Sequence, residues 1–461
     1  MPESVARFFR FAQRGTNART EIRAGVTTFL TMAYILFVNP MILSDPALGD
    51  RAVPFSAAAT GTALAAGVAC ILMGLISNFP LALASGMGLN AFLAFTVILK
   101  YDLPWQTAMG LVVLDGLIVL VLVLAGVRAW VFKAIPLDLK RAIGGGLGLL
   151  LATIGVVDAR FAVIPVSSAK LIASAPNPLA VAPPPPLTYG PVHTWGVLLV
   201  TVGLIVMTVL HIRKVRGSIL IGILAVTVLK TVGDLATGLP DAPIHKLNMS
   251  PPDFSAIGAA DVLGACKLAL VPLLLSFIIV DFFDTLGTMT AIGEQAGLTG
   301  RNGEIEKATS ILATDAGAAA IGGLCGASSV TSYVESAAGV SEGGRTGLMP
   351  VVTGLLFLAA LFVAPLFGVV PIEATAPALI FVGFLMLPGL RHIDWENARV
   401  AVPAFIVIVT MPLTYSISHG IGFGFIAYVL LSVFAGKWRE VHPLLYGAAV
   451  VFAASFIFLS P

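Results

Sequence analysis

The chain has 461 residues, of which 58% are hydrophobic and 11% charged, with 26 Lys and Arg against 24 Asp and Glu for a formal net charge of +2. Its mean hydropathy is +0.99. This composition excludes an ordinary soluble domain, and nothing in it points to nucleic acid as a partner.

Windows of about 20 apolar residues recur along nearly the whole length, as needed to cross roughly 30 Å of hydrocarbon, so the chain reads as an all-α polytopic membrane protein held in a lipid bilayer. Residues 1–20 are basic and lack an apolar run or a cleavage pattern, which predicts a cytoplasmic tail instead of a signal peptide. Spans follow near 22–40, 56–78, 81–97, 104–126, 137–157, 193–212 and 217–236. A Pro-rich outside segment lies at 158–192, and a polar interval at 237–266. A second set of spans lies near 268–290, 304–324, 328–342, 346–368, 371–389, 397–415 and 419–436, about 14 in all. The last apolar run, 441–459, is either a further span or a helix lying along the membrane.

Charge tests this reading. With the N-terminus in the cytoplasm, Arg51, Lys100, Arg160, Lys170, Lys230, Lys246 and Lys267 fall outside, and the remainder of the 26 basic residues fall inside. Seven spans per half make the second half enter from the opposite side, which suggests a 7+7 inverted repeat, a plan common among secondary transporters. Cys70, Cys266 and Cys325 are scattered without CxxC spacing, and the six histidines lie at segment ends or in loops. Neither disulfides nor a metal site is expected.

The third and tenth segments occupy matching places in the two halves and are poor spans. NFPLALASGMGLNAFLAF is interrupted by Pro80, Gly86 and Gly88 and carries Asn90, while GASSVTSYVESAAGVSEGG is too polar to face lipid. Irregular backbone survives at membrane depth only when buried in protein or lining a cavity. Each is expected to be an extended stretch followed by a short helix, starting near residues 88–90 and 334–336, and to mark the substrate site. The alternative is a Gly-rich packing segment.

Five acids lie deep in spans: Asp115, Asp281, Asp284, Asp315 and Glu335. No Lys or Arg lies at comparable depth. Asp281 and Asp284, in SFIIVDFFDTLGT, are three apart and share a helical face. A carboxylate without a cation either takes up a proton or accepts several N–H bonds, and both outcomes are functional in a transporter. The plainer alternative, a permanently protonated acid bonded to a neighbouring helix, applies most readily to Asp115 and Asp315.

DFFDTLGTMTAIGEQAGL (281–298), SSVTSYVESAAGVSEGGRTGL (328–348), SGMGLNAFLAF (85–95) and GVTTFLTMAYILFVNP (25–40) together resemble the AzgA-like adenine, guanine and hypoxanthine permeases. These form a branch of the nucleobase-cation symporter-2, or nucleobase-ascorbate transporter, superfamily. The resemblance runs over about residues 15–440 and implies 14 spans in two inverted repeats, with a core domain that moves elevator fashion against a gate domain. Mapped onto this chain, the tail is 1–21, the core 22–126 and 241–368, the gate 127–240 and 369–440, and the C-terminal apolar segment 441–461.

The resemblance implies substrate contacts at Asn90, Asp281 and Glu335, with Asp284 as the further acid of the same motif. Tyr333 and Phe92 are candidates to cover the ring faces. Asp281 or Asp284 would carry a co-transported proton, and Asp115 and Asp315 are structural or coupling acids. The uracil and xanthine branch usually has Glu at the place of Asp281 and a QxG signature after span 10 that is missing here, which favours purines. The implied protein is a proton-coupled purine symporter of the inner membrane, with no cofactor and a homodimer formed through its gate domains. An intramembrane aspartyl protease fits less well, because Asp281 and Asp284 share one helix and no GxGD is present. An anion carrier on a similar fold would not line its site with acids.

Overall fold

The computed structural model describes residues 3–126, 135–163, 187–191, 193–237, 251–298, 305–363 and 369–458. Much of the expected outside segment 158–192 and of the interval 237–266 lies outside the described residues, as do the last residues of the span expected at 346–368.

After a short helix α1 (Glu3–Phe8), helix α2 (Ala18–Met32) starts where the Asn17 side chain accepts the Thr20 N–H at 3.0 Å, satisfying a donor that a first turn leaves free. The chain steps at Ala33–Tyr34 and continues as α3 (Ile35–Leu43). Helix α4 (Phe55–Leu72) widens into a π turn, Met73–Ser77, that stops at Asn78 in the left-handed region. The backbone then runs extended as β1 (Leu83–Ser85) before α5 (Met87–Ala91), which continues in π turns over Phe92–Lys100.

Helices α6 (Trp105–Leu124) and α7 (Leu137–Asp158) follow, then a small antiparallel pair of β2 (Ala162–Val163) with β3 (Thr188–Tyr189), then α8 (Trp195–Ile212) and α9 (Ser218–Thr237). A short α10 (Val262–Ala265) precedes the 26-residue α11 (Val271–Ala296) and α12 (Ala308–Leu324). Extended backbone recurs as β4 (Val330–Ser332), again followed by a short helix, α13 (Ser336–Ser341). The chain ends with α14 (Leu348–Ala360), α15 (Ile372–Leu385), α16 (Ala398–Thr414), α17 (Ile417–Phe434) and α18 (Pro443–Phe458).

Among the described residues, eight helices are long and apolar enough to cross a membrane, with six shorter apolar helices beside them. The least buried are α8 and α9, whose Leu198, Ile205, Leu224 and Val228 point outward, as a surface against hydrocarbon requires. Within the expected segment 441–459, α18 packs on α17 with Phe425 and Phe452 edge to face at 6.2 Å.

Packing pairs α6 with α12, and α14 with α2 and α4; separately, α7 packs with α15 and α16, and α8 with α9 and α15. Small residues permit these approaches, since helices in lipid gain from close backbone contact and not from a hydrophobic drive. A Cβ at Gly116 of α6 would stand 2.5 Å from Ala320 N and 2.6 Å from Ala316 O of α12. The basic tail is not free: Arg14 Nη1 donates to Asn78 O at 2.7 Å and to Arg345 O at 2.9 Å, while Phe9 and Phe11 pack on Leu348.

The Gly116 contact is testable. Gly116→Ala should lower the unfolding midpoint of the detergent-purified protein by an amount equivalent to about 1–3 kcal/mol, the ordinary cost of overpacking. Gly144→Ala, where nothing lies within 4 Å, should leave the midpoint unchanged or raised.

Candidate functional site

The site is built where the two extended stretches cross. β1 and β4 pair antiparallel with Leu83 opposite Ser332, Ala84 opposite Thr331 and Ser85 opposite Val330. Each strand thereby satisfies backbone groups that have no helix to satisfy them. Beyond the ladder, Gly86 N donates to Ser329 O at 2.9 Å and Tyr333 N to Ala82 O at 3.0 Å.

Side chains lock the crossing. Asn39 of α3 donates from Nδ2 toward Thr62 Oγ1 at 2.8 Å, Ser85 Oγ at 3.0 Å and Ala327 O at 3.1 Å. Ser85 Oγ also donates to Ala327 O, and Tyr333 OH donates to Ser85 O at 2.5 Å. Ala82 N donates to Ser336 Oγ at 2.9 Å, which ties the start of β1 to the first residue of α13.

Against this crossing lies a cavity of about 130 Å³. Its apolar lining includes Leu147 of α7, Val382 of α15 and Met386 just beyond it. Tyr34, Gly86–Leu89, Asp284, Thr331, Ser332, Tyr333 and Glu335 line it as well. Asp284, near the middle of α11, is exposed and lines this cavity. Glu335 Oε1 accepts the Tyr34 OH at 2.7 Å. Glu335 also borders a larger cavity of about 750 Å³ that holds His211, Lys214, Arg216 and Glu342, so the small cavity adjoins that end of the molecule. The cavity of about 570 Å³ at the opposite end, with Asp45, Asp158, Lys230 and Glu373, shares no lining residue with it.

Of the residues singled out from sequence, Asp284, Tyr333 and Glu335 stand on the cavity wall. Asn90, Phe92, Asp281 and Asp115 are fully buried behind it, and Asp315 nearly so. Phe92 packs against Phe277 with tilted rings, 4.7 Å between centroids. Asp281 Oδ1 accepts from Ser329 Oγ at 3.1 Å, whereas its Oδ2, both oxygens of Asp115 and both polar atoms of Asn90 have no hydrogen-bond partner among the described residues. Asp281 stands in this second layer because three residues turn a helix by about 300°, so it and Asp284 share a side of α11 without pointing in one direction.

Asp115, Asp281 and Asp315 lie within electrostatic reach of one another, and Asp284 within reach of Asp315 and Glu335. None of the ion pairs among the described residues includes any of these five acids. The wall also uses Tyr34, Thr331 and Ser332, and the crossing uses Asn39, all of which sequence reasoning passed over. Asn39 had a usable signal, an amide inside an apolar span, as Asn90 did.

Comparison with known proteins bears on the family and the fold. The profile of the Permease family matches residues 19–423. The chain is 42% identical to the guanine/hypoxanthine permease PbuG of Bacillus subtilis over 461 residues, covering 98% of this chain and 99% of that protein. It is 37% identical to the adenine permease AdeQ of Escherichia coli K12, covering 98% of this chain and 96% of that protein. Among solved structures, the murine Slc26a9 anion transporter in its inward-facing state aligns with a TM-score of 0.64 at 12% identity, over 91% of this chain and 69% of that one. The transmembrane domain of the cyanobacterial bicarbonate transporter BicA aligns at 0.57 with 16% identity, over 90% of this chain and 97% of that one. At such identities the likeness concerns the fold alone.

Asn39→Leu removes the amide that several groups of the crossing share and leaves buried polar atoms unpaired, at about 1–3 kcal/mol for each group left without a partner. A lowered thermal midpoint in detergent is the expected result, and Ser44→Ala, at a buried hydroxyl that already lacks a partner, should show no such loss.

Proposed function

The chain belongs to the Permease family, and from that membership we propose that it imports purine nucleobases, hypoxanthine, guanine or adenine, together with a proton. It is a transporter and not an enzyme. The observation that carries the substrate is the cavity itself: two carboxyls, Asp284 and Glu335, line a small space together with apolar Leu147, Val382 and Met386. A 6-oxopurine is flat, with N–H donors along its edges. A carboxylate in the ring plane accepts one or two of these, and the faces lie against Leu147, Val382 and Met386. Glu335 is already oriented by Tyr34, which holds one of its oxygens. Asn90 and Asp281, buried behind the wall with unpaired polar atoms, join the site when the substrate or a shift of α5 and α11 reaches them.

In this reading α5 and α13 belong to a core that moves, elevator fashion, against a gate that includes α7 and α15. The cavity lies at that boundary, and its junction with the vestibule of His211, Lys214 and Arg216 makes this the inward-facing arrangement, since that end collects the basic residues expected in the cytoplasm. The 14-span inverted repeat, the core and gate boundaries given above, the cytoplasmic N-terminus, the inner-membrane location and a homodimer through the gate belong to the same proposal. The proton resides on Asp281, Asp284 or the acids beside them, because neutralising a carboxyl removes much of the penalty for carrying it past an apolar gate. An anion substrate on this fold is disfavoured by the same two wall carboxyls.

Uptake of radiolabelled hypoxanthine into cells lacking their own purine permeases tests the reading. Expression should confer uptake that a protonophore abolishes and that unlabelled adenine or guanine, but not sulfate or bicarbonate, reduces. Glu335→Gln and Asp284→Asn should each cut uptake at least about tenfold, the value of one charge-assisted hydrogen bond in a desolvated site. Wild-type rates from both variants at normal expression would refute the site.

A further inference from the structure

Behind the cavity, a ring of four side chains joins three elements. Asp315 of α12 accepts from Ser332 Oγ of β4 at 2.6 Å and from Thr285 Oγ1 of α11 at 2.5 Å. Thr285 Oγ1 lies 3.0 Å from Thr331 Oγ1, also on β4, and either atom can be the donor. All four side chains are buried, yet Thr331 and Ser332 form part of the cavity wall.

A hydroxyl has one hydrogen and donates once. With Asp315 charged, Thr285 commits its hydrogen to the carboxylate, so the Thr285–Thr331 contact uses the hydrogen of Thr331, and Thr331 meets the cavity with lone pairs only. With a proton on Asp315 Oδ2, the acid donates to Thr285 Oγ1. Thr285 then turns its hydrogen to Thr331, and the hydrogen of Thr331 is released to the cavity. We propose that Asp315 is a positioning residue whose proton reverses the hydroxyl chain Asp315–Thr285–Thr331 and converts Thr331 from an acceptor to a donor in the cavity wall.

The surroundings favour a mobile proton there. Facing Asp315 are Asp115 from α6 and Asp281 and Asp284 from α11, while Cys70 of α4, which packs on α12, donates to Leu83 O. Carboxyls in mutual reach in a low-dielectric interior do not all ionise, so the group holds at least one proton. Within this group Asp315 has a hydrogen-bonded route to the cavity, through two hydroxyls on one side and Ser332 on the other. The wall is otherwise rich in acceptors, from Asp284 and Glu335. Hypoxanthine brings acceptors of its own, a carbonyl oxygen and ring nitrogens, and a donor at Thr331 gives one of them a partner. Purine and proton therefore bind together. The inference rests on the purine reading above.

The test is hypoxanthine binding to the purified full-length protein in detergent across acid and alkaline pH, for wild type, Thr331→Val, Thr331→Ser and Asp315→Asn. Wild-type affinity should rise as pH falls. Thr331→Val should bind about tenfold more weakly at acid pH, the value of one lost hydrogen bond, and lose the pH slope. Thr331→Ser should keep the slope, and Asp315→Asn should bind without one. A slope arising from Asp284 or Glu335 directly would survive in Thr331→Val, and that result overturns the switch, as does pH-independent binding by wild type. Should Asp315→Asn fail to fold, the two Thr331 variants decide, since each alters one small group on the wall. A wild type that binds hypoxanthine, guanine and adenine at no pH overturns the purine reading and this inference with it.

Discussion

Two short stretches of extended backbone pair with each other inside a membrane protein, and the rest of the site depends on that pairing. Lipid offers no hydrogen bonds, so an unpaired N–H or C=O at that depth costs several kcal/mol. The ladder between Leu83–Ser85 and Val330–Ser332 removes much of that cost by letting each irregular segment satisfy the other. Neither is stable there alone. Asn39, Ser85 and Tyr333 then fix the register, and with it the direction in which Thr331, Ser332 and Glu335 face.

That crossing also explains how acids without cations are tolerated. The short helices after the strands end the regular backbone early and open a space between the α5 and α13 side and the α7 and α15 side. Asp284 and Glu335 face this space, where a ligand or water can solvate them. Asp115, Asp281 and Asp315 do not, and hydroxyls of Thr285, Ser329 and Ser332 donate to the last two. One layer of carboxyls thus faces the cavity and a second lies behind it. In the proposed transporter this division is useful, because a group that recognises a flat donor-rich ring and a group that carries a proton have opposite preferences for ionisation.

Much of the fold was legible in the residues. Long apolar windows, the bias of Arg and Lys to one side, and the polar string TSYVESAAG in a place where lipid would forbid it are all one-dimensional signals, because hydrocarbon judges each segment by its own composition. The acids were legible for the same reason: Asp115, Asp281, Asp284, Asp315 and Glu335 are each conspicuous against their neighbours. Their ranking was not. Asp281 and Asp284 look equivalent in DFFDT, and their separation into a buried and a cavity-facing carboxyl depends on the rotation of α11 against β4. The role of Tyr34 was hidden, since an aromatic in an apolar helix reads as packing, and Asn39, though conspicuous as an amide, showed no role until its partners were in place; the partners lie 301 and 288 residues away in sequence.

The sequence by itself determined that this chain lives in a bilayer, where its backbone is irregular and which acids lack cations, because each is a local property set against a uniform solvent. Only the tertiary structure decided which of those acids share a cavity, which lie buried behind it, and which hydroxyls connect them. Those relations depend on distances of a few ångströms between segments far apart in the chain, and such distances arise only when both strands find their single common register.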